Sequence, residues 1–365
     1  MSEKILQQLR AGIEGMDREI ITLLEKRAAV SLENGKVKKK TGVEVYDPFQ
    51  EEIVYRNILE HSGDILTENA LRNIFREIIS SSRVLQKPVV VAYLGPEASF
   101  SHQAALIHFG NSTNAVPKAT IADVFDSVER GENQWGIVPI ENSAEGSVKA
   151  TLDRLISTPL FIMAEVFLRI RHCLLSRQNQ LADIRRIYSH PQALAQCQEW
   201  LGKRLPGIPL IEVESTAGAA RRVQDDIGGA AVGSSLAGAR YGLGIIAEGI
   251  EDSPFNTTRF LVVGQKPGRQ RRITVGHAKT SILFGTSHVP GALQRALAPF
   301  AGAGINLTRI ESWPMRERIW EYLFFADFIG HTEEEKTKGC LAKIAGQTAF
   351  LKILGSYPRG AEENP

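Results

Sequence analysis

The sequence predicts a multidomain chain built from three unlike parts: an all-α segment over residues 1–88, a two-lobed α/β segment over 89–265 and an α+β, ferredoxin-like segment over 280–357. Three observations carry this. Apolar residues recur at helical spacing from Leu6 to Val37, with Arg27 at one position of the series. Short apolar runs then alternate with helical patterns at least five times, the signature of β/α units. The last stretch reads β-α-β-β-α-β.

Size and composition suit such a chain. Its 365 residues fit two or three domains, and 43% hydrophobic with 23% charged residues is ordinary for a globular protein. A net charge of +2 gives no reason to expect nucleic acid or an anionic membrane as partner. Cys173, Cys197 and Cys340 are odd in number and far apart, which suggests neither a disulfide framework nor a metal site and fits a reducing compartment. The stretch MSEKILQQLR lacks the apolar core of a signal peptide, and no run is long enough to span a bilayer, so the cytoplasm is the expected location.

Leu6, Leu9, Ile13, Met16, Ile20, Leu23, Val30 and Val37 keep a 3-4 spacing, a heptad-like seam. Arg27 interrupts it between Leu23 and Val30, and Arg10 lies beside it. Either Arg27 snorkels at a bundle end, or it is buried and needs an anionic partner. Lys36, Lys38, Lys39 and Lys40 follow. Asp47-Pro48 then starts a second helix, with Asp as N-cap and Pro in the first turn; it carries Phe49, Ile53 and Ile58. A third helix places Leu71, Ile74, Phe75, Ile78 and Ile79 on one face and continues that stripe into Ser82 and Gln86. Three helices make a thin core, and the first has no equally long partner in its own chain, so an intertwined dimer is expected.

These residues carry a resemblance. Leu9-Arg10, the Asp17…Leu23-Leu24…Arg27 run, Gly35-Lys36-Val37-Lys38, Asp47…Glu51 and Ser82…Gln86 resemble the helical chorismate mutase domain of the bifunctional chorismate mutase–prephenate dehydratase family.

Beyond residue 88, strand-like runs end repeatedly in polar residues: Val89–Leu94 at Gly95-Pro96, Ile137–Ile140 at Glu141-Asn142-Ser143, Ile187-Tyr188 at Ser189-His190-Pro191-Gln192, Leu210–Val213 at Glu214-Ser215-Thr216, and Ala230–Val232 at Gly233-Ser234-Ser235. Thr120-Ile121-Ala122-Asp123 reads as a capping-box start. Asn256-Thr257-Thr258-Arg259 enters a strand beginning at Phe260. One junction of this kind is an ordinary capped turn. Five together suggest two lobes enclosing an anionic small molecule where strands hand over to helix N-termini. Lobes of this periplasmic-binding kind also serve pure solute-binding modules. The stretches Tyr93–Glu97, Val138–Asn142, Tyr188–Gln192, Glu214–Thr216 and Thr258–Phe260 resemble the prephenate dehydratase motifs in order and separation.

Gln265 to Lys279 is a basic connector with Lys266, Arg269, Arg271 and Arg272, and residues 266–279 read as a solvated linker. The final segment has strands around Ser281–Phe284, Ile305–Ser312, Tyr322–Ile329 and Leu351–Ser356, and helices from about Gly291 and Thr332. It reads as a structural dimerisation domain or, by resemblance, as an ACT regulatory domain. Pro290-Gly291-Ala292-Leu293 resembles that domain's Gly-Ala-Leu effector motif. Glu311-Ser312-Trp313-Pro314 resembles its Glu-Ser-Arg-Pro motif, with Trp313 where Arg usually stands.

The resemblance implies two reactions without cofactor or metal. In the first, chorismate rearranges to prephenate. Arg27 and, from a partner subunit, Arg10 would bind carboxylates with Ser82; Lys38 and Gln86 would reach the ether oxygen; Asp47 and Glu51 would orient the ring hydroxyl region. Arg suits such carboxylates because its planar fork makes paired charge-assisted bonds. Gln50 stands where close relatives have an Arg. In the second, prephenate loses carbon dioxide and hydroxide to give phenylpyruvate. Thr258 would donate a hydrogen bond to the departing hydroxyl, or relay a proton from Glu141 or His190. Asn142, Ser143, Ser189, Gln192, Ser215, Thr216, Arg259 and Phe260 would line the site. Phenylalanine would act as effector at Gly291, Ala292, Leu293 and Glu311 to Pro314. The expected assembly is a homodimer or higher homo-oligomer. The rival class is an amino-acid-binding regulatory protein on the same scaffold that has lost catalysis.

Overall fold

The computed structural model describes residues 2–266, 278–314 and 322–360. The chain divides into two compact units, Met1–Val89 with Phe109–Asn114, and Val90–His108 with Ala115–Pro365.

The first unit is helical: α1 (Ser2–Thr41), α2 (Pro48–Glu60) and α3 (Glu68–Gln86). As the sequence predicts, Asp47 caps α2, its Oδ1 accepting from the amides of Phe49 and Gln50 at 3.1 Å each. Gly35 is the buried residue of α1. A Cβ there would stand 2.8 Å from Gln86 Cγ, so glycine is what lets α1 and α3 approach. Most of the α1 seam is uncovered by its own chain: Leu6, Leu9, Ile13, Met16, Ile20, Leu23, Val30 and Val37 are between 48% and 70% exposed. Ile74, expected on the inner face of α3, is also exposed. The small core gathers Tyr46, Phe49, Leu71, Ile79 and Phe109. The rings of Tyr46 and Phe109 lie 5.2 Å apart, and Asn111 N donates to Glu77 at 3.0 Å.

The second unit begins with a lobe formed by β1 (Val90–Leu94), α4 (Phe100–Phe109), β2 (Asn114–Lys118), α5 (Ile121–Glu129), β3 (Trp135–Asn142), β4 (Gly146–Ser147), α6 (Lys149–Ser157) and β5 (Phe161–Arg169). The other lobe holds β6 (Cys173–Ser176), β7 (Arg186–Ser189), α7 (Pro191–Gln196), α8 (Gln198–Arg204), β8 (Leu210–Glu212), α9 (Thr216–Val223), β9 (Gly229–Gly233), α10 (Ser235–Tyr241) and β10 (Gly244–Glu248). The chain then returns to the first lobe as β11 (Thr257–Gly264). The sheets run β2-β1-β3-β11-β5, with β4 on β3, and β10-β6-β9-β7-β8. The capping box at Thr120 and Asp123 is formed as expected.

The strand end expected at Ile140 is corrected by the structure. β3 runs on through Glu141 and Asn142 and folds into a hairpin with β4, and the next helix starts at Lys149 with Val148 as its N-cap, where the spacing of Val148, Leu152 and Leu155 puts it. The amide of Ser143 is spent on the Thr257 carbonyl at 2.9 Å.

The last part comprises β12 (Ala278–Thr286), α11 (Ala292–Gly302), β13 (Leu307–Pro314), β14 (Tyr322–Ile329), α12 (Glu335–Ala345) and β15 (Phe350–Pro358), in sheet order β13-β14-β12-β15. This is the ferredoxin-like arrangement the sequence predicts. Its sheet shares a core with the first lobe: Leu283, Leu323, Phe325, Leu354 and Tyr357 pack with Ile162, Leu261 and Val263. Of the connector, Lys266 is exposed, whereas Lys279 belongs to β12 and is buried against Glu165 at 2.8 Å. Arg269, Arg271 and Arg272 lie outside the described residues.

Candidate functional site

In the helical unit, α1, α2 and α3 enclose a cavity of about 330 Å³ lined by Arg27, Lys38, Asp47, Glu51, Ser82 and Gln86, with Gln50 and Arg83 beside them. Six of the seven residues expected in the first site therefore meet. Arg27 Nη1 contacts the Ser82 hydroxyl and the Ile78 carbonyl, the latter at 3.4 Å. Among the described residues no carboxylate pairs with it, and desolvation lowers its pKa. Lys38 Nζ donates to the Val45 carbonyl at 3.0 Å. Burial lowers its pKa, and Asp47 and Glu51 pull the other way. Gln86 Nε2 donates to Ser31 Oγ at 2.8 Å, and its Oε1 is buried without a partner among the described residues.

Arg10 is not brought there. It is exposed on α1, 17 positions from Arg27, or about 25 Å along the axis at the usual rise per residue.

In the second unit the strands sort the expected residues by face. Thr258 stands opposite Asn142, and Arg259 opposite Glu141. Successive side chains on a strand point to opposite faces. Asn142 Nδ2 donates to Thr258 Oγ1 and to Asn256 Oδ1, both at 2.8 Å. Its Oδ1 accepts from the amides of Ala144 and Glu145 at 2.9 and 3.2 Å, which fixes the amide's orientation. Asn256 Nδ2 donates to Gln196 Oε1 at 3.0 Å, and Nε2 of the buried His172 lies 2.9 Å from the same oxygen. With that oxygen as acceptor, His172 carries its hydrogen on Nε2. The buried Thr258 thus ends a chain of five polar side chains that joins both lobes, its oxygen accepting from Asn142.

Gln196 and His172 are not singled out by the sequence, and Asn256 is singled out only as part of the stretch that enters β11. Gln196 ends an unremarkable helix, His172 sits between strands, and only Asn256, in Asn256-Thr257-Thr258, carried a signal.

The opposite face is a tie to the ferredoxin-like sheet. Arg259 is buried: Nε donates to Glu165 at 2.9 Å, Nη1 to Asp327 at 2.6 Å and Nη2 to Tyr357 Oη at 3.1 Å. Burial pushes the Asp327 carboxyl up, but Arg259 and its other partners hold it below the usual range. Glu141 pairs with Arg309 Nε at 3.1 Å. Arg259 and Glu141, expected beside Thr258 in the cleft, therefore point away from it, and Phe260 is buried in β11.

Several junction side chains are spent on the backbone. Ser189 is fully buried and bonds the Val232 carbonyl at 2.7 Å. Ser143 Oγ bonds the Phe255 carbonyl at 2.9 Å and accepts from Thr257 N. His190 caps α7, and Ser215 caps α9, which begins at Thr216. Gln192 is exposed in the first turn of α7.

The effector residues separate in the same manner. Gly291, Ala292 and Leu293 line a cavity of about 420 Å³ with His288, Tyr322 and Phe324. Gly291 adopts φ +75°, which favours glycine at the start of α11. Glu311 and Trp313 face the first lobe instead. Glu311 contacts Ser147 and Arg309, and Trp313 Nε1 donates to Asp153 at 3.0 Å while its ring packs on the shared core. Ser312 and Pro314 are exposed and pair in register with Phe324 and Tyr322, which line that cavity.

Comparison with known proteins gives three family matches: chorismate mutase type II over residues 9–87, prephenate dehydratase over 91–268 and the ACT domain over 280–346. A bifunctional chorismate mutase/prephenate dehydratase of Aquifex aeolicus is 43% identical, covering 97% of this chain and 98% of the relative. Among solved structures, a prephenate dehydratase from Arthrobacter aurescens in complex with L-Phe is 34% identical with TM-score 0.68, covering 74% of this chain and 90% of that one. A protein described as GqqA, a quorum-quenching acylase, is 32% identical with the same TM-score and coverage of 74% and 97%. A shared fold can host different activities, so the reading rests on the sites.

Proposed function

The chain belongs to the bifunctional chorismate mutase/prephenate dehydratase family, and on that premise we propose how its two reactions are divided among its residues. It rearranges chorismate to prephenate and converts prephenate to phenylpyruvate. We assign the rearrangement to residues 1–88 and the dehydration to 89–265, with 266–279 as connector and 280–357 as regulatory domain.

The observation that carries the first assignment is the half-buried Arg27 guanidinium, which lines a cavity and has no carboxylate partner among the described residues. A substrate carboxylate supplies that partner, aided by Ser82. The reaction is unimolecular, so the pocket's work is to hold a compact conformer and to stabilise charge on the breaking ether oxygen, through Lys38 and Gln86. Glu51 accepts from the ring hydroxyl near Asp47. Arg10, exposed on a seam that its own chain leaves open, completes the site in a second copy of this chain, which supports a homodimer.

In the dehydratase, Thr258 donates to the departing hydroxyl while the substrate carboxylate leaves as carbon dioxide. A proton taken up there makes the leaving group water, and aromatisation drives the step. Asn142 sets the Thr258 hydroxyl. Ser143, His190, Gln192, Ser215 and Thr216 are the remaining candidate anchors. We propose phenylalanine as the effector, bound beside Gly291, Ala292 and Leu293; the ligand in the Arthrobacter structure supports this. The cytoplasm is the proposed compartment, in keeping with three free, buried cysteines.

Incubation with chorismate tests the reading. Prephenate should form and then phenylpyruvate, and supplied prephenate should enter only the second step. Phenylalanine binding without turnover of either substrate would reject it in favour of a regulatory protein that has lost catalysis.

A further inference from the structure

Arg83 follows Ser82 on α3, where a single Arg near a helix end reads as surface charge. The structure buries it to 4% exposure. Its Nη1 lies 3.1 Å from Glu51 Oε1 and 3.4 Å from Oε2, and its Nη2 donates to the Phe109 carbonyl at 2.6 Å. The guanidinium sits over the rings of Tyr46 and Phe109, at 5.6 and 5.5 Å from their centroids. Arg83 and Glu51 both line the cavity that holds Arg27, Lys38, Ser82 and Gln86. Two aromatic faces, a carbonyl and a carboxylate thus hold this cation in one place, and its visible partners are protein groups.

We propose that Arg83 is a positioning residue for the chorismate rearrangement, clamping the Glu51 carboxylate at the pocket wall as a fixed, charged acceptor for the substrate's ring hydroxyl. The proposal rests on the assignment of Glu51 to that site.

The surroundings of Glu51 show why such a clamp is needed. Arg83 reaches it from α3 and Lys38 from α1; Asp47 stands at the α2 cap, and the phenols of Tyr46 and Tyr55 lie nearby. Burial raises the Glu51 pKa and Asp47 adds to the rise; Arg83 is the strongest opposing group, ahead of Lys38. A protonated Glu51 is a weaker acceptor, and it no longer helps the half-buried Lys38 keep its own proton. One cation therefore sustains the working charge of two pocket residues.

The test uses the full chain and the pH dependence of mutase kcat/KM for the wild type, Arg83→Met, Arg83→Lys and Glu51→Gln. We expect an acid limb in the wild type that is lost in Glu51→Gln and moves to higher pH in Arg83→Met. Mutase kcat in Arg83→Met should fall roughly tenfold to a hundredfold, the scale of misplacing a reacting group by about 1 Å. Arg83→Lys should recover part of both effects. The position of a limb does not depend on how much enzyme is folded, and turnover of supplied prephenate reports folding separately. An unmoved limb in Arg83→Met, with Glu51→Gln impaired, overturns the proposal alone. Wild-type behaviour of Glu51→Gln overturns the Glu51 assignment and the proposal with it.

Discussion

Asn142 and Thr258 face each other across β3 and β11, and the amide of Asn142 donates to the Thr258 hydroxyl at 2.8 Å. Asn142 spends its other amide hydrogen on Asn256 and its carbonyl oxygen on two backbone amides. The Thr258 oxygen is thereby an acceptor already, and the proposed role leaves its hydrogen to the substrate. Thr258 needs no unusual acidity in this arrangement, only a preset direction.

Thr258→Val keeps the β-branched shape that suits a strand and removes the donor. Dehydratase kcat should fall on the order of 10²-fold or more, with KM much less affected, as expected for a contact made in the transition state. Thr258→Ser should retain part of the activity. Normal turnover of prephenate by Thr258→Val would leave Thr258 a structural residue and turn the search for the acid to His190 and to Glu214, the carboxylate before the Ser215 cap.

The same chain predicts an effect of Asn256. Asn256→Ala removes the acceptor that holds the Asn142 amide and the donor to Gln196. Dehydratase kcat should drop roughly tenfold to a hundredfold through a misdirected Thr258 hydroxyl. Steady-state kinetics on supplied prephenate check this, and a wild-type kcat would show that Asn142 is held well enough by Ala144 and Glu145.

How much of this was legible in the sequence depends on the kind of signal. The α1 seam, the Asp47-Pro48 start and the β-α-β-β-α-β order follow from periodicity and capping, and all are present. The break of the seam at Arg27 marked a real pocket, because a cation among apolar residues is costly unless something anionic meets it. Contiguous motifs misled where a strand divides them. Thr258-Arg259 and Glu141-Asn142 look like units, yet alternation sends Thr258 and Asn142 to one face of the sheet and Arg259 and Glu141 to the face that meets the ferredoxin-like sheet. β5 escaped notice because Glu165 interrupts its apolar run, and Glu165 is buried only because Arg259 and Lys279 pair with it. The rest, from Arg83 to the His172–Gln196–Asn256 chain, depends on contacts between distant segments that no local pattern encodes.

Burial also predicts a pH effect on stability. Desolvation lowers the pKa of His102, His172 and His331 from the ordinary value of 6.5. Folded pKa values below the unfolded value mean that the unfolded chain binds more protons, so stability is complete above about pH 6.5 and is lost as pH falls through the folded values. Asp226 and Asp327, held below 3.8, contribute only in a more acidic window. The urea midpoint should therefore be lower at pH 5.5 than at 7.5, and His172→Gln should lessen that difference. An undiminished difference would mean that His172 is not among its sources.

Trp313 bears on the regulatory reading. A Trp cannot supply an Arg's charge-assisted bonds, but here its indole N–H meets Asp153 and its ring joins the core shared with the catalytic lobe. Phenylalanine should still bind at the cavity beside Gly291, and calorimetry on the wild type checks this. Trp313→Ala should weaken inhibition more than binding, because it loosens the contact through which the sheet reaches the lobe. Absence of phenylalanine binding to the wild type would leave the domain a structural one.

Arg10 and Arg27 give the sharpest test of the assembly. Each single variant, Arg10→Ala and Arg27→Ala, should lose roughly a hundredfold or more of mutase turnover, the cost of one charge-stabilising contact, and keep dehydratase turnover. If the site pairs Arg27 of one copy with Arg10 of another, a mixed dimer of the two variants holds one complete site and one that lacks both guanidinium groups. Unfolding and refolding an equal mixture gives dimers of which about half are mixed by random pairing, each with one of its two sites intact, so about a quarter of the wild-type mutase activity should return. Two arginines serving the same copy could not complement, because neither variant chain carries both. Sedimentation establishes in parallel that the chains are dimeric. Failure of the mixture to exceed the separate variants, with dimers present, would rule out a site shared between copies and leave the exposed face of α1 as a dimer contact without a catalytic share.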